Sequence, residues 1–140
     1  MTRFIIVNPH KRTIEAVPFD SLIEAQASVG LDNVDHGALW RGLGYVVHQH
    51  SLFFPPSKQA YCGIAHKLIA GPAVFYGYDQ AGETVDLRRS ELPDVRWYLG
   101  VNDVEAAIER EEIVRPIIAM NHAVMWEWPQ PAPKGFGYGD

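Results

Sequence analysis

The chain has 140 residues, of which 47% are hydrophobic and 21% charged, and its formal net charge is −5 at pH 7. That length suits one domain, and the composition excludes a disordered chain, a collagen and a disulfide scaffold. The acidic balance lacks the basic stripe of a general nucleic-acid binder, and no apolar run approaches the ~20 residues that a bilayer-crossing helix needs.

In chain order, Phe4–Val7 is an unbroken apolar run, the pattern of a strand covered on both faces. Asn8–Arg12 is a polar connection containing a proline, and Arg12–Val17 then alternates, so the two segments predict an opening β-hairpin. Ser21 with Glu24 three residues later is a capping-box pattern. It predicts a helix with Leu22, Ile23, Ala25, Ala27 and Val29 on its buried side and Gly30 as its stop. No helix is predicted between Asn33 and Leu87. Leu43–His48, Ala60–Ala65, Ala73–Tyr78 and Glu83–Leu87 are rich in β-branched and aromatic residues and predict an antiparallel meander. Asp79 followed by Gly82 fits a type I turn with a left-handed glycine, which makes Ala73–Leu87 a hairpin. Pro55–Lys58 reads as a surface loop.

Asp94–Leu99 predicts a further strand with Val95, Trp97 and Leu99 on one face. Asn102 and Glu105 give a second cap signal, which predicts a second helix near 103–112, closed before Pro116. His122–Trp128 alternates and predicts a last strand. Alternating prolines and glycines from Pro129 to Gly139 can form neither a helix nor a central strand. The expectation is a single α+β domain over residues 1–128, mainly antiparallel, followed by a Pro/Gly-rich tail over 129–140.

Cys62 is the only cysteine, so no intrachain disulfide can form. Together with a first apolar run too short for a secretory h-region, this makes the cytoplasm the expected compartment. Cys62 sits in a strand-like run with no neighbouring base, which marks it as a small core residue and not a nucleophile. The most suggestive triplet is His48-Gln49-His50. On a strand, residues two apart face the same way, so both imidazoles could meet one zinc or other divalent ion, with His36, Asp35 or His122 completing the set. The competing reading is a pair of half-exposed histidines at a strand end. No G-x-S-x-G, no complete dinucleotide fingerprint, no Walker pattern and no EF-hand loop occurs. Glu105, Glu109, Glu111 and Glu112 read as a solvated helix face.

Charge is uneven along the chain. No Asp or Glu lies between His36 and Tyr78, whereas twelve acidic and six basic side chains follow from Asp79 onward. A buried central sheet that excludes carboxylates accounts for this. Trp126 and Trp128 on the last predicted strand, with Phe136 and Tyr138 in the tail, are the candidate core or subunit-contact residues.

The segment Ile5–Ile14, and Gly71–Asp79 followed by Gly82–Asp86, resemble a group of small uncharacterised bacterial proteins often encoded on phages, plasmids and other mobile elements. The likeness spans about residues 3–99 and rests on turn and strand signatures. It implies an α+β fold and an accessory role, and it carries over no catalytic residue.

The leading expectation is a noncatalytic binding or interaction module that self-associates as a homodimer, without membrane or nucleic-acid partners and without a cofactor. The alternative is a metal-binding protein or metal-dependent enzyme centred on His48, His50 and His36. The weakest is an acidic DNA mimic of the antirestriction kind.

Overall fold

A computed structural model describes residues 1–49, 51–53 and 58–116. The expected strand His122–Trp128, the tail 129–140 and the contact residues Trp126, Trp128, Phe136 and Tyr138 lie outside the described residues, as does His50.

The opening hairpin forms as the alternation predicts. Strand β1 (Thr2–Asn8) pairs antiparallel with β2 (Thr13–Phe19) in full register, from Thr2 opposite Phe19 to Asn8 opposite Thr13. Helix α1 (Leu22–Ser28) follows, with Ser21 as its N-cap accepting from the Glu24 amide at 3.2 Å. The Glu24 carboxylate returns a bond to the amide of Asp20 at 3.1 Å, one residue earlier than in a standard capping box. Gly30 adopts φ 74°, and amide bonds from Gly30 to Ala27 and from Leu31 to Gln26 close the helix as a Schellman motif. The buried stripe is Leu22, Ala25, Gln26 and Val29, at helical spacing, while Ile23 and Ala27 point to solvent. The expected inward face thus held for Leu22, Ala25 and Val29 and failed for the two residues that lie off that stripe.

Strands β3 (Val34–Trp40), β4 (Leu43–His48) and β7 (Ala73–Tyr78) complete the large sheet in the order β2-β1-β7-β4-β3, and the short β8 (Thr84–Val85) also pairs with β7. A second sheet contains β5 (Tyr61–Ile64), β6 (Lys67–Ala70) and β9 (Val95–Tyr98), ordered β6-β5-β9. Every pairing is antiparallel. The result is the expected single α+β domain, but not the expected meander: β5 leaves for the second sheet, so β7 pairs with β4 and β1 instead of with β5. Two strands, β3 and β6, were not predicted, and β8 is shorter than Glu83–Leu87. The Asp79–Gly82 turn forms as read: the Gly82 amide donates to Asp79 O, and the Asp79 carboxylate accepts from the amides of Ala81 and Glu83.

Helix α2 (Val101–Glu109) is capped by Gly100 and not by Asn102. Asp103, in its first turn, instead accepts from the Leu99 amide at 2.9 Å. The helix stops well short of Pro116 because Glu111 takes a left-handed φ of 61°. Amide bonds from Glu111 to Ile108 and from Glu112 to Ala107 then form a second Schellman closure, with glutamate where glycine is usual.

Period-two alternation sorts these side chains into layers. Phe4, Ile6 and Val74 pack with Ala25 and Leu31 beneath α1. Their neighbours Ile5, Val7, Ala73 and Phe75 face the second sheet and meet Cys62, Ile64 and Ile69 there. On the outer side of the second sheet, Tyr61, Ala70 and Tyr98 pack against Val104 and Ala107 of α2 and against Ile113. The order is helix, large sheet, small sheet, helix. This explains the unbroken apolar run in β1, which lies between β2 and β7 and is covered on both faces.

Candidate functional site

No three His, Cys, Asp or Glu side chains among the described residues are grouped so as to hold a metal ion. Strand β4 ends at His48 and Gln49 already belongs to a turn. The cross-strand register sets His36 opposite Val46 and His48 opposite Val34, so the two histidines share one sheet face as diagonal neighbours. Cys62 is fully buried, and burial pushes its thiol up to about 12, which agrees with the core reading. The carboxylates that read as a solvated helix face are in part structural. Glu105 holds Arg115 in a two-pronged ion pair, with one bond of 2.9 Å. Glu112 bonds Arg96 and Arg110, each at 3.0 Å, and its bond to Arg110 lowers its pKa below the usual carboxylate range.

A concave site does form where the two sheets meet, along the edge strand β6. Its wall comes from Tyr45 on β4, Leu52, and Leu68 on β6; its rim comes from Ala65, His66 and Lys67 at the β5–β6 turn and from Val114, Arg115 and Pro116. The volume is about 510 Å³, within the ~300–1,000 Å³ usual for small-molecule sites. Backbone geometry builds the rim. Ala65 and His66 both have positive φ, 47° and 65°, making the two-residue turn that matches the right-handed twist of a hairpin. The amide of Val114 donates to His66 O at 2.8 Å, and the Glu112 carbonyl sits 3.1 Å from His66 Nδ1. A carbonyl only accepts, so Nδ1 carries the proton, and in the neutral ring Nε2 is the acceptor. The Glu105–Arg115 pair ties the same segment back to α2.

The electrostatics of the cleft are one-sided. Its described lining contains Lys67, His66 and Arg115 and no Asp or Glu. Arg115 is balanced by Glu105, which leaves Lys67 as the cation of the cleft. The Lys67 ammonium donates to the Tyr45 hydroxyl at 3.4 Å and stands 5.5 Å from the centre of that ring. On the other side of the hairpin tip, a cavity of about 200 Å³ is bordered by Asp94, Arg96 and Glu112, where both signs of charge are present and Glu112 is already held by Arg96.

Tyr45, Lys67 and Leu68 carry no functional signal in the sequence. The turn that presents His66 and Lys67 has Ala-His where Asn-Gly would have signalled a tight hairpin. Lys67 and Tyr45 are 22 residues apart, and only the packing of the two sheets brings them together.

Comparison with protein-family models, with curated proteins and with solved structures finds no match to this chain. No helix among the described residues is long and apolar enough to cross a membrane. Function is therefore read from geometry.

Proposed function

We propose that the protein is a noncatalytic binding module whose cleft at Tyr45, Lys67 and Leu68 takes a small anion with an apolar body. One observation carries this reading: a cleft of about 510 Å³, walled by apolar side chains, has a lysine at its rim and no carboxylate in its described lining. The exposed Lys67 ammonium supplies a screened attraction for a carboxylate, and the apolar wall supplies the burial for the rest of the ligand. Cys62 is no exposed nucleophile, since its thiol is buried with a raised pKa, and Glu112 and Glu105 are held by arginines. Isothermal titration of the full chain with octanoate tests the reading. Saturable one-to-one binding is expected, weakened roughly two- to fivefold by Lys67→Met, which keeps the apolar stem and removes an exposed charge. Absence of saturable binding, or a Lys67→Met titration identical to that of the parent, overturns it.

A second reading, self-association, is favoured by β3. This seven-residue edge strand carries neither proline nor lysine, and its Trp40 is 50% exposed. The opposite edge, β2, is blunted by Pro18. Pairing of β3 with β3 of a second copy would continue the sheet. Sedimentation should give a dimer that Leu39→Pro converts to a folded monomer; a monomer at high concentration removes the reading.

A further inference from the structure

The geometry points to an elongated site, of which the anion-binding cleft is one half, that takes a small zwitterion with an apolar middle, the chemistry of a short apolar peptide with free termini. This rests on the anion reading and extends it. A second cavity, of about 280 Å³, adjoins the first, and Tyr45, Leu52 and Leu68 line both. Asp35 from β3, His36 and Ser51 line this second cavity and not the first.

The register explains the placement. Gly37 lies opposite Tyr45 and Asp35 opposite Val47, so Asp35 and Tyr45 are diagonal neighbours on the same sheet face. Diagonal pairs of this kind stand about 7–8 Å apart, within the span of a few bonds. The Lys67 ammonium, by contrast, lines the first cavity, at the Tyr45 hydroxyl, and Asp35 does not line that cavity. The cation thus stands in one cavity and the carboxylate in the other, with Tyr45, Leu52 and Leu68 shared between them. A simple anionic amphipath engages only the lysine end. A molecule that also bears an ammonium group engages both ends, and a molecule with two carboxylates is repelled at Asp35. A free peptide has this order of charges, with apolar side chains between them.

The test uses trileucine, its N-acetylated form, which lacks the ammonium, and its C-terminal amide, which lacks the carboxylate, each titrated into the full chain by calorimetry. Either block should weaken binding, acetylation by roughly two- to fivefold because Asp35 is exposed. Asp35→Asn should erase the acetylation penalty and keep the amidation penalty, and Lys67→Met should do the reverse. Octanoate is titrated in parallel. If octanoate binds but acetylation costs nothing, or costs as much in Asp35→Asn as in the parent, the extended site is wrong and the anion cleft stands. If neither octanoate nor trileucine binds, both are wrong.

Discussion

The ring of Tyr45 on β4 lies over Gly37, its direct cross-strand partner on β3, so closely that a β-carbon at position 37 would overlap the Tyr45 ring tip. Two other tyrosine rings also lie over strand glycines. Tyr76 covers Gly44, its direct partner across the β4–β7 pairing, and Tyr98 covers Gly63 from a diagonal position, since Gly63 stands opposite Arg96. An aromatic ring over a strand glycine restores the apolar cover that the missing side chain forfeits, and it pins the register.

These pairs predict unequal responses to the same substitution. Tyr98 is 7% exposed, and its hydroxyl would stand 2.5 Å from a new β-carbon at position 63, with Ile113 at 3.0 Å on the same spot. It has nowhere to go, so Gly63→Ala should cost about 2–3 kcal/mol by overpacking. Tyr45 is only half-buried and can swing outward. Gly37→Ala should therefore cost ~1 kcal/mol or less in stability while breaking the Lys67–Tyr45 bond and weakening octanoate binding. Urea denaturation of both variants, with calorimetry on Gly37→Ala, checks the contrast.

Cys62 gives a prediction on the alkaline side. Burial raises its folded-state pKa from the ordinary 9.0 to about 12, so folding favours the protonated thiol. That contribution is complete below pH 9 and is lost as pH rises toward about 12. Burial of Tyr61 and Tyr98 raises their pKa values as well, which adds to the loss in the same direction. Cys62→Ala should flatten the alkaline limb of the stability curve. Iodoacetamide should label the parent no faster than global unfolding allows, and rapid labelling of the native chain at neutral pH would contradict the buried placement.

Glu111 supplies a third. A left-handed φ of 61° costs a residue with a β-carbon about 1 kcal/mol or more, and glycine avoids that cost. Glu111→Gly should raise stability by about 0.5–1 kcal/mol after the greater flexibility of glycine in the unfolded chain is offset. Thermal melting reads the sign directly, and a lowered Tm would mean that the Schellman closure of α2 does not form as described.

Legibility followed the range of the interactions. The first hairpin, α1, β4, β5, β7, β9 and the Asp79 turn were readable because each is announced by alternation, a cap or a turn residue within a few positions. β3 was missed because Val34–Trp40 contains Asp, His and Gly, residues poor in strand propensity, and holds its place through pairing with β4. β6 was missed because a turn of Ala65 and His66 lacks the usual glycine signal. Asn102 looked like a cap and is not one, since Gly100 precedes the helix and Asp103 secures its first turn.

The amino-acid order by itself determined the class of the fold, the covered state of β1 and the inert character of Cys62, because burial periodicity and local turn chemistry operate over short separations. Only the tertiary structure decided that there are two stacked sheets, that Glu105 and Glu112 hold arginines instead of facing solvent alone, and that Lys67 meets Tyr45 at the mouth of a cleft. Those relations join residues far apart in the chain, and they depend on how layers pack, which no local pattern encodes.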